Sequence, residues 1–259
     1  MITDFPGKKI LRRMGYVSDQ NGILNRYLSE AGQWNQHLDK TMSFITKSLS
    51  GVHPEHIVVL GSGWLLDLAI EELYGYCRQI SLVDVNHPPQ ILHKIGKYPG
   101  INAVCADITG GLIEETYNMV QHCRKKGETF NPDHLKVTVP DMDEKDIFVI
   151  SLNVLDQLDA LIIDYINRWF NMDAGATTRL RKRIQQAHIS MVSAQRYCII
   201  TDECEVLTTA DDRQTVGKKL LHTPLPVGRL NDAWLWKFDN HFKYYEDYRT
   251  WFQVRAVSF

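Results

Sequence analysis

The chain has 259 residues, with 29 Lys and Arg against 31 Asp and Glu, a formal charge of −2, and 44% apolar and 23% charged residues. That balance excludes extended disorder and a polycationic nucleic-acid coat, and the length suits one large core with a smaller appendage. No stretch reaches the roughly 18 apolar residues needed to span a bilayer, the start MITDFPGKKILRRMGY lacks an apolar leader core, and the scattered cysteines form no CxxC pair; a cytoplasmic protein of a reducing compartment is expected.

From Asn21 to Leu49 apolar residues recur at steps of three or four, as in Tyr27, Trp34, Leu38, Met42 and Ile45, which predicts two helices broken near Gly32. These helices, taken as an N-terminal extension over residues 1–50, either dock on the core through Tyr27 and Trp34 or bring those aromatics to a pocket. Gly51 and Pro54 then punctuate the chain, and a domain over 51–259 follows.

Short apolar runs appear next at HIVVLG (56–61), ISLVDV (80–85), INAVCAD (101–107), DIFVISL (146–152) and RYCIITD (196–202). Runs without polar alternation suit strands covered on both faces, and the stretches between them are helical in period. AWLWKFD (233–239) and TWFQVRAVSF (250–259) are joined by too little chain for a crossover helix, so they pair as an antiparallel hairpin. The expected fold is α/β: a doubly wound, mostly parallel seven-stranded sheet with an antiparallel C-terminal edge hairpin.

In such a sheet ligands sit outside the carboxyl ends of the strands. After the first strand, Gly61-Ser62-Gly63 permits a tight turn, and a helix expected to start near Trp64 would present free N–H groups to an anionic group. Asp84, 23 positions after Gly61, ends the second strand at about the separation that suits hydrogen bonds from ribose hydroxyls; its bland alternative is a turn cap. Asp107 after the third strand is placed to meet an exocyclic amine, with Ile108 packing on the ring. After the fourth strand, Ser151 and Asn153 are orienting groups for a substrate, Asn153 being equally suited to cap a helix.

Taken in order, VVLGSG, LVDVN, VCADI and DIFVISLNVL with the closing hairpin resemble class I S-adenosylmethionine-dependent methyltransferases over about residues 50–259. The resemblance implies S-adenosylmethionine as cofactor, with Gly61, Ser62 and Gly63 against its methionine part, Asp84 on the ribose, and Asp107 and Ile108 at the adenine. It also implies methyl transfer to a small-molecule acceptor that the sequence leaves unidentified. Val59 and Leu65 stand where that pattern often has an acid and a third glycine, so the alternative is a chain that keeps the fold as a binding or interaction module. SLNV lacks the two prolines and aromatic associated with methylation of base or amide nitrogens. An NAD(P)-dependent oxidoreductase is less well matched, because Leu66 occupies a position where the dinucleotide fingerprint needs glycine.

The remaining features read blandly. Arg179, Arg181, Lys182 and Arg183 form a solvated helix face, PDMDEKD (140–146) an exposed loop, and KKGETFNPDHLKVTVP a candidate cleft rim. His37 and His188 read as surface or core-edge residues, and no histidine spacing suggests a metal.

Overall fold

The computed structural model describes residues 7–30, 32–142, 146–211 and 215–259. Three helices lead: α1 (Lys8–Met14), α2 (Tyr16–Ser29) and α3 (Asn35–Leu49). Strands β1 (His56–Leu60), β2 (Ile80–Asp84), β3 (Ile101–Cys105) and β4 (Ile147–Leu152) alternate with α4 (Ile70–Tyr76), α5 (Pro89–Ile95) and α6 (Leu112–Lys126). Helices α7 (Ala160–Asn167) and α8 (Ala174–Ser193) precede β5 (Arg196–Thr209), β6 (Thr215–Lys219), β7 (Leu230–Asp239) and β8 (Tyr248–Ser258).

The strands order as β3-β2-β1-β4-β5-β8-β7, and β1 to β5 are parallel. This is the doubly wound order, with its switch point between β1 and β4. The expected hairpin is β7–β8, antiparallel, with β8 inserted against β5. An eighth strand, β6, is additional to the seven expected; it pairs only with β5, and TVGKK is exposed along its whole length, so it carries no apolar signal.

The pleat sends alternate residues of each strand to opposite faces. On one face Val58, Leu60, Val83 and Val149 meet Ile113, Ile162, Ile166 and Ile184 of α6, α7 and α8. On the other, Ile57, Val59, Leu82, Phe148 and Ile150 meet α3, α4 and α5. The N-terminal break falls near Gly32, as its φ of +83° requires of a residue without a side chain.

Helix α3 docks on the hairpin through Trp34, whose indole N–H donates to the Phe238 carbonyl at 3.0 Å while its ring stacks on Phe238 and meets Trp236 edge-on. Burying an aromatic of this size typically contributes roughly 3–5 kcal/mol against truncation. Tyr27 packs behind Trp34, with ring centroids 5.7 Å apart. At the end of α2, the buried Glu30 carboxylate holds the β7–β8 connection through His241 Nδ1 at 2.7 Å.

Three bland readings need correction. His37 is a core residue, stacked on Trp236 at 4.0 Å, and His188 is buried beneath the sheet. Arg181 and Arg183 are not on a solvated face: Arg181 lies 3.5 Å from the buried Asp159, and Arg183 donates to the carbonyls of Pro132 and Leu135. Those two carbonyls belong to the candidate rim, which is thus packed toward α8; residues 143–145 of the acidic loop lie outside the described residues. Among the described residues, no helix is long and apolar enough to cross a membrane.

Candidate functional site

The strand ends, the loops after them and α2 enclose a cleft of about 360 Å³. It is lined by Gly61, Ser62, Gly63, Asp84, Asp107 and Ile108 together with residues of β4, β5 and the hairpin. Seven of the eight site residues expected from the sequence, all but Ser151, line this cleft.

Gly61 has a φ of +81°, and a Cβ placed there would come within 2.7 Å of the Leu152 carbonyl and of Val154 Cβ. Its glycine is fixed by the β1 and β4 loops crossing. Gly63 also has positive φ, and its N–H donates to Asp84 Oδ2 at 2.8 Å, so the loop and the end of β2 are tied together. The second Asp84 oxygen accepts a long 3.4 Å bond from Asn86 N–H, the Val85 N–H also bonds the carboxylate, and with two lone pairs on each oxygen acceptor capacity is left toward the cleft. Burial raises the Asp84 pKa, and the Gly63 N–H works against that rise. Ser62 is 2% exposed and its Oγ has no hydrogen-bond partner among the described residues.

The helix expected at Trp64 begins only at Ile70, with Ala69 as its cap. Residues 62–69 instead form a loop pinned by α2: Trp64 Nε1 donates to the Gln20 carbonyl at 2.8 Å, while the Gln20 amide exchanges hydrogen bonds with the Asn86 main chain and side chain at 2.9 and 2.7 Å. The glycine loop thus offers no helix N-terminus. Gln20 was not legible as a site residue, because an amide on a helical face has no distinguishing spacing.

Asp107 lines the cleft, yet both its oxygens already accept from its own loop: Oδ1 from Thr109 N–H and hydroxyl at 2.8 and 2.5 Å, Oδ2 from Ile113 N–H at 3.1 Å. Its principal work is to hold the start of α6. Ile108 is 5% exposed beside it and offers a flat apolar wall.

The two β4 candidates separate. Pleating turns Ser151 to the α8 face, where its hydroxyl is 2.8 Å from His188 Nε2, so it does not reach the cleft. Burial lowers the His188 pKa to about 4. Asn153 does line the cleft, held at a φ of +46°, and its amide donates to Asp67 Oδ2 at 2.7 Å. No helix starts beside it, since α7 begins at Ala160.

The cleft also carries four carboxyls that the sequence did not single out. Asp67 comes from the loop after Gly63, Asp156 from the β4 loop, and Asp202 and Glu205 from β5. A bulge explains the last pair. Residues three apart on a regular strand face opposite sides, but the register against β8 slips between Asp202 and Cys204, so both side chains turn into the cleft. Burial pushes Asp67 up to about 6 and Asp156 up to about 7, and raises Asp202 well above the usual carboxylate range, with Asp156, Asp67 and Glu205 adding like-charge repulsion to Asp202. His37 lies 3.8 Å from Asp67 Oδ1, but burial lowers its pKa to about 3, so it is neutral there.

No protein-family model matches the chain, and no curated protein matches it. Similar solved structures include the Burkholderia thailandensis 1,6-didemethyltoxoflavin-N1-methyltransferase, at 10% identity and a TM-score of 0.45 over 99% of this chain and 94% of that one. The N-methyltransferase NodS from Bradyrhizobium japonicum WM9 is 12% identical, with a TM-score of 0.38 over 85% of this chain and 86% of that one. An rRNA methylase from Streptococcus thermophilus is 12% identical, with a TM-score of 0.29 over 84% and 94% of the two chains. The strand order, the antiparallel β8–β7 edge and the helices before β1 define a doubly wound, Rossmann-like α/β fold.

Proposed function

We propose that the protein transfers a methyl group from S-adenosylmethionine to a small-molecule acceptor. The observation that carries this reading is Asp84: a carboxylate at the end of β2, oriented by the N–H of Gly63, with acceptor capacity left toward the cleft. That is the arrangement a ribose diol needs. The buried Ser62 hydroxyl beside it, without a partner among the described residues, supplies a second polar group suited to the same cofactor, and Ile108 an apolar surface for a base. Asp107, already engaged, would contribute chiefly by shaping the loop. The glycine loop does not run into a helix N-terminus, which speaks against a dinucleotide, whose pyrophosphate uses one.

When bound, S-adenosylmethionine supplies an electrophilic methyl group on a sulfonium. The protein's part is positional: Asp84 and the Gly61–Gly63 loop orient the donor, Gln20 and Trp64 close α2 over that loop and limit water, and the β4–β5 wall orients the acceptor. Calorimetric titration with S-adenosylhomocysteine tests the reading. Binding is expected, and Asp84→Ala should weaken it by about 1.5–3 kcal/mol, the range for a hydrogen bond to a charged group. No heat and no thermal shift at millimolar ligand would remove this function, and an unchanged affinity in the variant would move the ribose elsewhere.

A further inference from the structure

We propose that the acceptor half of the cleft binds an organic cation, a protonated amine carried on an apolar or aromatic body, through Asp202, Glu205, Asp156 and Asp67. As an acceptor site this rests on the methyl-transfer reading above; as a binding site it rests on the residues themselves.

Four carboxyls converge here, two of them because a bulge in β5 turns Asp202 and Glu205 to one side. Only part of that charge is compensated. Lys218 sits 3.4 Å from Glu205, and the other basic side chain of the cleft, Arg181, lies 3.5 Å from Asp159 instead. Asp156 Oδ1 accepts from the Thr201 hydroxyl at 2.9 Å and from Asp202 N–H at 3.4 Å, bonds that fix it without neutralising it. Asp202 is 2% exposed, lines the cleft, and has no donor for its Oδ1 among the described residues. A buried carboxyl oxygen with no donor is costly, and a cationic ligand that donates to it and lets the carboxyl ionise is what would satisfy it.

The class of cation follows from the surroundings. Among the described residues, no three His, Cys, Asp or Glu side chains are arranged to hold a metal ion. Trp236, Phe238 and Phe252 of the hairpin line the same cleft; His37 already stacks on Trp236 and Arg26 lies over Phe238, so what these rings offer a ligand is apolar contact for its body. The Trp236 indole N–H, also partnerless among the described residues, adds one donor to a wall that is otherwise acceptor-rich. A hard divalent ion would leave these rings unused.

The test titrates the full chain with 2-phenylethylamine and putrescine as cations, 2-phenylethanol as the neutral counterpart and 3-phenylpropionate as the anionic one, each with and without S-adenosylhomocysteine. Binding of either amine, at least about tenfold tighter than the alcohol and with no heat from the anion, is expected; tenfold corresponds to 1.4 kcal/mol. Asp202→Asn and Glu205→Gln should each weaken amine binding by about tenfold, leave the S-adenosylhomocysteine affinity in place, and not lower the melting temperature, which separates a ligand role from a structural one. Equal binding of amine and alcohol, unchanged amine affinity in both variants, or displacement of the amine by Mg²⁺ or Mn²⁺ would overturn the proposal. If S-adenosylhomocysteine binds and neither amine does, the cation site is overturned and the methyl-transfer reading stands. If an amine binds in a carboxylate-dependent way and S-adenosylhomocysteine does not, the cation site stands and methyl transfer falls.

Discussion

Replacing Asp156 by Asn should stabilise the protein, and more so at higher pH. The Asp156 carboxyl is pushed from 3.8 up to about 7, chiefly by burial, while Thr201 and the Asp202 N–H already bond its Oδ1 and would bond an Asn carbonyl equally. Between those two values the unfolded chain has lost the proton that the folded chain keeps, so the unfolded state binds fewer protons and stability falls as pH rises. At pH 8 nearly the full separation applies, a cost of about 4 kcal/mol at roughly 1.4 kcal/mol per unit; at pH 5 it is about 2 kcal/mol. The advantage of Asp156→Asn should therefore grow by about 2 kcal/mol between pH 5 and pH 8. Urea denaturation of both proteins at the two pH values, with unchanged slope, measures it. A variant whose advantage is the same at both, or which is less stable at pH 8, would show that Asp156 is not a carboxyl held against its ionisation.

Two further outcomes follow from single residues. Gly61→Ala combines positive φ with a clash of 2.7 Å against Leu152 O and Val154 Cβ, whereas the nearest atom to a Cβ at Gly63 is 3.7 Å away; thermal melting should show the first costing about 1–3 kcal/mol more than Gly63→Ala, and equal losses would remove the packing argument. His188, held down at about 4 by burial against an ordinary 6.5, is neutral in the fold and takes up its proton on unfolding, so the stability it confers is complete above pH 6.5 and is lost as pH falls toward 4. His188→Gln should for that reason lose about 2.5 kcal/mol less between pH 7.5 and pH 4.5 than the wild type does, a difference readable by denaturant titration.

The parallel strands were legible because burial on both faces leaves unbroken apolar runs, and with them came the strand ends carrying Gly61, Asp84 and Asp107. Where a side chain's direction depends on more than the strand's existence, the sequence reading failed. Ser151 and Asn153 are two apart at the end of β4, yet the pleat takes one to His188 and a positive φ turns the other to Asp67. LLDLAIEELYGYC has helical period throughout, but its first residues are a loop held by Trp64 and Gln20, a contact 44 residues apart in the chain. Strand β6, exposed on every residue, left no pattern to read.

The carboxyl wall was invisible for a sharper reason. Asp202 and Glu205, three apart in a strand, read as residues on opposite faces until a bulge is placed between them, and Asp67 and Asp156 lie on two loops that meet only through the order of β1 and β4. Yet this wall is the part of the cleft that the fold alone does not explain. A sheet of this order needs glycine and a capping acid at its strand ends; it does not need several carboxyls sharing one pocket, two of them raised to about 6 and about 7. Apolar residues of similar volume would be neutral or stabilising there. A group kept at such a cost to stability is best accounted for by what enters the pocket, and among the charges the described residues supply, Lys218 and Arg181 are already taken by Glu205 and Asp159. On the proposal made above, the positive charge that lets these carboxyls ionise comes with the ligand.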